Sequence, residues 1–296
     1  YGQFLTNISA SRNVDYKELD SIVYHLAIRQ PEDAVKYRLV DDLIYFDQLQ
    51  DKLAEKTGKD KAEDLEFVSL SAYNKSPGKE QERKKDKMAV LYAEGNIVDG
   101  DGEEDNIGSA RFRRALQDIR EDDDIKALVI RINSGGGSAL ASEVMLREIN
   151  LVKAKGIPVI VSMGDVAASG GYYIAAAADK IYVDKASLVG SIGVVMNGFG
   201  FTGAMEKLGV ERRLITAGEN KGFLDPFSAA DPYQTEFAKQ MAAEIHQQFI
   251  QVVKEGRGDK LANNPELFSG LVWTGAKSVE LGLADELGSI DTIARD

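Results

Sequence analysis

The amino-acid sequence predicts an α/β fold in which a parallel sheet is flanked by helices. Short apolar runs typical of buried parallel strands occur at residues 88–93, 126–132, 157–163, 180–183 and 210–215. Helical patterns lie between them at residues 109–120 and 138–155, and residues 231–255 form a long amphipathic pattern. The order of strand, glycine-rich turn, helix and strand is that of the βαβ unit, whose connections are right-handed.

The helix predicted at residues 138–155 carries signals at both ends. Ser138 is a possible N-cap, and Gly156 and Pro158 follow the last helical position. Because this helix starts directly after a glycine-rich turn, we expect its first turn to lie at the carboxyl edge of the sheet.

Composition excludes several classes of function. The 296 residues include 36 Lys and Arg against 48 Asp and Glu, and the formal net charge of −12 argues against nucleic acid or an anionic lipid surface as a partner. The chain has no cysteine, which excludes disulfides, thiolate metal sites and a cysteine nucleophile. Its two histidines, His25 and His246, are far apart in sequence, so we expect no zinc site built on histidines.

The sequence also carries expectations about targeting. It contains no run of 18 or more apolar residues, so nothing in it is expected to span a membrane by itself. It starts at Tyr1 without a Met or a signal-like segment, and we therefore expect it to be a piece of a longer protein.

A charged segment divides the chain. Nine of the fourteen residues at 74–87 are charged, and Pro77 and Gly78 interrupt them, so this segment cannot bury apolar surface. We predict three parts: residues 1–57, a charged linker and lead-in at residues 58–87, and a main domain at residues 88–296.

The first part is similar to the end of the main domain. Residues 34–47 align with residues 278–291 at five identities, among them Asp41 with Asp285, and upstream Arg12 aligns with Arg257. We interpret residues 1–57 as the carboxyl-terminal end of a preceding copy of the domain. The alternative is two unrelated helical tails.

Two glycine-rich turns follow predicted strands, with the sequences NSGGGS at residues 133–138 and AASGGYY at residues 167–173. In a parallel sheet the carboxyl ends of strands meet free backbone N–H groups at helix N-termini, and sites form there. Such a turn could also hold a phosphate. Neither G-x-G-x-x-G nor G-x-x-x-x-G-K-[ST] is present, however, and the case for nucleotide binding is therefore weak.

Ser169 begins the helix that follows the second turn. Its hydroxyl could be a plain N-cap, or it could be a nucleophile. A nucleophilic serine needs two backbone N–H donors for the oxyanion, and one commonly comes from the next residue, here Gly170. The first turn could supply the other donor from Gly136 or Gly137.

The nucleophile also needs a base. His246 lies in an amphipathic helix, where a half-exposed structural side chain is expected, and His25 belongs to the first part of the chain. Lysine remains, since Ser–Lys pairs are a variant of the triad, but a lysine base must be neutral and therefore buried near apolar groups. Lys221, which is followed by Phe and Leu residues in a glycine-punctuated loop, fits this need better than Lys180 or Lys185, which flank a predicted strand.

From about residue 88 to the end, these motifs resemble the signal peptide peptidase A (SppA) and SohB group of serine–lysine proteases, whose fold is ClpP/crotonase-like with repeated ββα units. The resemblance implies that Ser169 is the nucleophile and Lys221 the general base. Ser191, in the sequence GSIG, matches the serine that hydrogen-bonds the lysine, and Gly137 and Gly170 match the backbone oxyanion donors.

The resemblance further implies a membrane-associated serine endopeptidase that degrades cleaved signal peptides and other apolar peptides through an acyl-enzyme. It implies a homo-oligomeric ring, no cofactor, and a place at the inner membrane of a bacterium, with the catalytic domain on the extracytoplasmic side and the anchor in a segment absent from this chain.

Two positions depart from the family pattern. Gly135 stands where the family's first loop usually has proline, which removes a conformational restraint but no N–H donor. In some tandem-repeat members the lysine comes from the N-terminal copy, and in short members it comes from a neighbouring subunit. Whether Lys221 serves Ser169 of its own chain, serves a neighbour or is structural therefore stays open at this point.

Two other functions compete with this interpretation. A crotonase-like acyl-CoA enzyme would use the same pair of oxyanion loops, although such enzymes usually rely on Glu or Asp as acid and base. A non-catalytic oligomeric scaffold would keep the loops only for assembly.

Overall fold

The computed structural model describes residues 1–69, 72–73, 85–217 and 220–293. The chain folds as two compact units, Tyr1–Lys84 and Lys85–Asp296. Most of the predicted linker at residues 74–87 lies outside the described residues. In the described part of the chain, no helix is both long enough and apolar enough to cross a lipid bilayer.

The first unit is helical. Leu5, Val14, Leu19 and Ile22, which lie in its first two helices and the turn between them, form a small buried cluster. The helices are α1 (Gly2–Arg12), α2 (Tyr16–Tyr24), α3 (Pro31–Lys36) and α4 (Phe46–Thr57), and a short 3₁₀ turn follows at Ala62–Asp64.

The second unit is built on a mostly parallel sheet, which confirms the predicted α/β fold. Its strands are β1 (Lys87–Glu94), β2 (Asn96–Val98), β3 (Asn106–Gly108), β4 (Ile125–Ser134), β5 (Val159–Ala168), β6 (Lys180–Val183), β7 (Leu188–Gly190), β8 (Val272–Thr274) and β9 (Glu286–Leu287). Five strands lie side by side in the order β1-β4-β5-β6-β9. Strand β7 pairs in parallel with β5 and antiparallel with β8, while β2 and β3 form a separate two-stranded sheet.

The helices of this unit lie between the strands and after the last strand. They are α5 (Ser109–Glu121), α6 (Ala139–Ala154), α7 (Gly170–Ala175), α8 (Thr202–Leu208), α9 (Pro232–Arg257), α10 (Gly275–Glu280) and α11 (Ile290–Ile293), with a 3₁₀ turn at Gly258–Lys260. Ser138 caps α6 as predicted, because its Oγ accepts the backbone N–H of Ala141 at 3.2 Å. Asp231 caps α9 in the same way through the N–H of Gln234 at 2.9 Å.

The central strands are apolar because both faces of the sheet are covered. On β4, Leu128, Ile130 and Ile132 are buried in the main core, whereas Val129 is buried on the opposite face with Tyr182 and Ile293. Strands buried on both faces appear in a sequence as continuous apolar runs. Four of the five predicted strands are confirmed, although β1 ends the strand order and leaves Met88, Val90 and Tyr92 exposed.

The fifth prediction was wrong: residues 210–215 do not form a strand. They follow α8 as an irregular segment, with Val210 and Leu214 exposed and 93% of Ile215 accessible to solvent. A strand needs a hydrogen-bonded neighbour, and no described strand pairs with this segment. An apolar run alone does not show whether such a neighbour exists.

The first unit and the end of the second share one local geometry. In the second unit, Arg257 at the end of α9 donates from Nε to the carbonyl of Gly282 at 2.9 Å and pairs with Asp285 at 2.9 Å. In the first unit, Arg12 at the end of α1 donates from Nε to the carbonyl of Arg38 at 2.9 Å and pairs with Asp41 at 2.8 Å. The sequence alignment pairs the same arginines and aspartates, and the repeat itself stays a prediction.

Candidate active site

The two glycine-rich turns are in direct contact. They follow β4 and β5, which are neighbours in the sheet and run in the same direction. A Cβ atom added to Gly136 in the first turn would lie 2.5 Å from the backbone nitrogen of Gly170 and 2.7 Å from Cβ of Ser169. Only glycine, which has no side chain, allows the two turns to approach this closely. The contact with the second turn therefore explains why position 136 of the first turn is glycine.

Two polar side chains at the end of β4 hold the first turn. Ser134 is buried; its Oγ donates to the carbonyl of Gly95 at 2.7 Å and accepts the N–H of Gly136 at 3.1 Å. Asn133 accepts the N–H of Val166 through Oδ1 at 3.1 Å, which links β4 to the irregular part of β5. The backbone of the first turn is thereby fixed before any substrate binds.

Gly137 is held by β2. The N–H of Ser138 donates to the carbonyl of Ile97 at 2.9 Å, and the N–H of Ile97 donates to the carbonyl of Gly136 at 2.9 Å. Gly137 has φ 154°, and a Cβ there would lie 2.0 Å from the carbonyl oxygen of Ile97. The hydrogen bonds of this bridge do not involve the N–H of Gly137.

Ser169 stands at a sharp junction between β5 and α7. Its backbone is in an unusual conformation, with φ 52° and ψ −125°, and its side chain forms no capping hydrogen bond. The plain N-cap interpretation is therefore not supported. A half-buried serine on a strained strand-to-helix turn is the arrangement that presents a nucleophile at the edge of a sheet.

The two predicted oxyanion donors lie beside Ser169. Gly137, Ser169 and Gly170 line one cleft of about 310 Å³. In the described part of the chain, neither the N–H of Gly137 nor that of Gly170 donates a hydrogen bond. Two unpaired backbone donors next to a serine hydroxyl could stabilise an oxyanion.

The walls of this cleft are mainly apolar. Tyr173 packs against Phe249 of α9 with a ring-centroid distance of 5.0 Å, and its hydroxyl donates to Glu143 at 2.5 Å. Burial and this hydrogen bond raise the pKa of Tyr173, so the phenol stays neutral and serves as a wall. Other apolar side chains of the cleft are those of Val194, Val195, Met196 and Ile245.

A second cleft of about 410 Å³ opens on Ser169, and Ser191 lines it too. Ser191 follows β7 in a turn at residues 190–193, where it has φ 49° and its N–H donates to the carbonyl of Leu271 at 2.8 Å. The structure thus brings together Ser169, Ser191, Gly137 and Gly170.

Lys221 is not among the residues that line either cleft. Its side chain is exposed in the loop between α8 and α9, in contrast to the buried environment that a neutral lysine needs. Lys180 does not replace it: the hydrogen bond from Lys180 to Glu286, with a smaller contribution from Tyr182, raises the lysine pKa and favours the protonated form. Among the residues that the structure describes, no lysine lines either cleft of Ser169.

The sequence did not place His246 in the site. The structure puts it in the lining of the second cleft with Ser169 and Ser191, half-buried on α9. Its Nε2 lies 3.1 Å from the carbonyl oxygen of Ile192. The one signal in the sequence was its spacing from the apolar Phe249, which is three residues further along the same helix face.

Among the described residues, no three His, Cys, Asp or Glu side chains are grouped so that they could hold a metal ion. The clefts at Ser169 are lined by Ser191 and other serines, by the imidazole of His246, and by Gly137 and Gly170 with their backbone N–H donors. This set is suited to acyl transfer by a serine nucleophile.

Comparison with known proteins points to a peptidase family. The profile of peptidase family S49 matches residues 152–296, a stretch that contains Ser169, Ser191, Lys221 and His246. The protein called Protease 4 in Haemophilus influenzae is 34% identical over 259 residues, which is 86% of this chain and 41% of that protein. The chloroplastic serine protease SPPA of Arabidopsis thaliana is 32% identical over 297 residues, or 98% of this chain and 44% of that protein.

A further relative has a different name. The Na(+)/H(+) antiporter NhaA of Brucella abortus is 49% identical over 170 residues, which is 57% of this chain but 23% of that protein. Since less than a quarter of the antiporter is matched, its name describes that protein and not this chain. In all three cases the chain spans less than half of the relative's length.

Proposed function

We propose, since the profile of peptidase family S49 matches residues 152–296 and the chain is similar to the SppA proteases, that it is part of a serine endopeptidase with Ser169 as the nucleophile. One observation carries the proposal. The hydroxyl of Ser169 is not used as a helix cap, and it shares a cleft with two backbone N–H groups that have no acceptor in the described part of the chain.

The proposed reaction is peptide-bond hydrolysis in two steps. A neutral base takes the proton of Ser169 Oγ as the oxygen attacks the scissile carbonyl, and the N–H groups of Gly137 and Gly170 stabilise the oxyanion. The C–N bond then breaks, the leaving amine takes the proton, and an acyl-enzyme remains. Water, activated by the same base, hydrolyses the ester and restores the serine.

We propose that Lys221 of a neighbouring copy is the base. None of the described residues that line the cleft shared by Ser169 and Ser191 is a lysine, and we infer that the amine enters from outside this unit. Ser191 would then accept or donate a hydrogen bond to that amine, as the resemblance implies. A lysine supplied by the preceding copy of the domain is the alternative.

An exposed apolar segment supports assembly into a ring. Between residues 195 and 237 many large apolar side chains are exposed, with Ile215 accessible over 93% of its surface. Exposed apolar patches of this kind mark interfaces. The segment also carries Lys221, so the contact that buries it would move this lysine into an apolar environment. Other exposed members are Val195, Phe199, Phe201, Leu208, Leu224 and Phe237.

We propose remnant signal peptides and other apolar peptides as substrates. The walls of the smaller cleft, which include Tyr173, Met196 and Phe249, suit an apolar side chain next to the scissile bond. An extended peptide would bind by strand addition. Since the relatives are longer than this chain, we further propose that a segment outside it anchors the protein at the bacterial inner membrane, with the catalytic domain on the extracytoplasmic side.

The test is hydrolysis of a fluorogenic apolar peptide by the full-length protein and by this chain. We expect Ser169→Ala and Lys221→Ala each to abolish cleavage. Mixing the two inactive variants during assembly should restore activity to about one quarter of the wild-type value, because one site in four combines an intact serine with an intact neighbouring lysine. Cleavage that survives Ser169→Ala contradicts the proposal, and full activity of Lys221→Ala assigns the base to the preceding copy.

A further inference from the structure

We propose that His246 is a positioning residue of the active site, because it holds the turn at residues 190–193 that carries Ser191. The proposal rests on the proposed function, since it takes Ser169 as the nucleophile. His246 lines the same cleft as Ser169 and Ser191, and Gly193 of the turn lines both clefts. A shift of the turn would therefore change the surroundings of the nucleophile on two sides.

The backbone of this turn is strained. Gly190 has φ 106° and Ser191 has φ 49°, a region that residues with a side chain rarely adopt. Such a conformation persists only where surrounding contacts hold it. The contacts that hold residues 190–193 therefore determine where the hydroxyl of Ser191 lies.

Three hydrogen bonds hold the turn, one at each of three successive residues. The N–H of Ser169 donates to the carbonyl of Gly190 at 2.9 Å, and the N–H of Ser191 donates to the carbonyl of Leu271 at 2.8 Å. The third joins His246 Nε2 to the carbonyl of Ile192 at 3.1 Å. Within the described part of the chain, His246 is the side chain that bonds to the backbone of this turn.

The third hydrogen bond is anchored at both ends. The side chain of Ile192 is fully buried, so the position of its carbonyl is fixed by the core. On α9, Phe249 and Val253 are buried as well, and His246 lies on the same side of the helix one turn earlier. The hydrogen bond thus connects a packed helix to the strained turn.

The bond does not depend on the charge of the imidazole. A carbonyl oxygen only accepts, so His246 Nε2 must carry a proton, as it does in one neutral tautomer and in the cation. A glutamine amide can place a donor at nearly the same position, whereas phenylalanine has a ring of similar size and no donor. These two substitutions separate the hydrogen bond from the packing of the ring.

The experiment compares wild type, His246→Phe and His246→Gln in the full-length protein, with Gln247→Ala as the matched control on an exposed neighbour. kcat and KM are measured with a fluorogenic apolar peptide, and thermal unfolding is measured for every variant. The rate of Ser169 modification by a fluorophosphonate is measured in parallel. In that reaction Oγ bonds to phosphorus, fluoride leaves, and the base takes the proton.

We expect His246→Phe to lower kcat and the modification rate by roughly tenfold to a hundredfold, because small displacements of a catalytic group have large effects on rate. KM should change by less than about threefold, since the substrate walls remain in place. His246→Gln should stay within about threefold of wild type in each quantity, and Gln247→Ala should match wild type.

Two results contradict the role of His246. One is a His246→Phe variant with wild-type kcat and modification rate. The other is a His246→Gln variant as slow as His246→Phe although both unfold at the wild-type temperature. If the fluorophosphonate does not modify Ser169 in the wild-type protein, the proposed function itself fails, and the positioning role fails with it.

Discussion

The backbone N–H of Ser169 donates a 2.9 Å hydrogen bond to the carbonyl of Gly190, the residue that precedes Ser191. This bond continues the parallel pairing of β5 with β7, in which Ala168 lies opposite Gly190. The two serines therefore leave neighbouring strands at the same edge of the sheet and enter one cleft. Their separation is set by strand register, which is far more rigid than a loop.

The strained backbone of Ser169 predicts a difference in stability between two variants that should both be inactive. Ser169→Ala and Ser169→Gly both lack the proposed nucleophile, so both should lose the proposed peptidase activity. At φ 52° and ψ −125° glycine has no steric penalty, and Ser169→Gly should be more stable than Ser169→Ala by about 1 to 3 kcal/mol. Chemical unfolding of the two variants measures this difference. Equal stabilities would show that the junction stores no strain.

The contact between the two turns predicts that alanine is harmful at position 136 and tolerated at position 135. Alanine at position 136 would place Cβ 2.5 Å from the nitrogen of Gly170, at a backbone φ of 97°. We expect Gly136→Ala to cost about 1 to 3 kcal/mol of stability and to lower kcat by roughly a hundredfold or more by displacing a proposed oxyanion donor.

Gly135 provides the control for this prediction. A Cβ atom on Gly135 would meet nothing within 4 Å. Gly135→Ala should therefore stay within about 0.5 kcal/mol of wild type and remain active. If both substitutions are tolerated, the two turns are not packed as the structure shows.

The long elements of the fold could be predicted because their burial leaves a mark on the sequence. Strands β1, β4, β5 and β6 are apolar runs, and helices α6 and α9 begin at capping residues. The short strands β7 and β8 were not predicted. A strand of three residues is too short to show an alternating pattern, and the two strands that pair are far apart in the chain. Residues 210–215 show the converse, an apolar run without a strand partner in the described structure.

The part of the candidate site that is formed by backbone turns could be predicted from the sequence. Ser169 and the glycine-rich turns follow strands, and neighbouring strands bring such turns together. The position of His246 at the site depends on how α9 packs across the edge of the sheet. The residues next to His246 in the sequence do not indicate this packing. In the proposal, the Lys221 that acts on Ser169 belongs to a second copy of the chain. The distance between the two residues therefore depends on how the copies assemble, which the sequence of one chain does not determine.

The carboxylate of Asp285 joins α9 to the end of the sheet. Burial raises its pKa, but hydrogen bonds from Arg257 and Lys260 outweigh that effect and hold the pKa at about 2. An unfolded chain has an Asp pKa of about 3.9. Because the folded pKa is the lower one, this group contributes its full stability above about pH 4 and loses that contribution as the pH falls towards 2.

We therefore expect Asp285→Asn to destabilise the second unit at neutral pH by about 3 to 5 kcal/mol, because the fully buried Arg257 would lose its charged partner. Fluorescence of Trp273, the single tryptophan, reports this unfolding. Between pH 4 and pH 2 the stability difference between wild type and variant should shrink.

Asp41→Asn is the matched control. Asp41 pairs with Arg12 in the same geometry, but 90% of its side chain is exposed, so water screens the pair and the loss of helical circular dichroism on heating should hardly change. A neutral-pH stability of Asp285→Asn equal to that of wild type would mean that water, and not Asp285, satisfies Arg257.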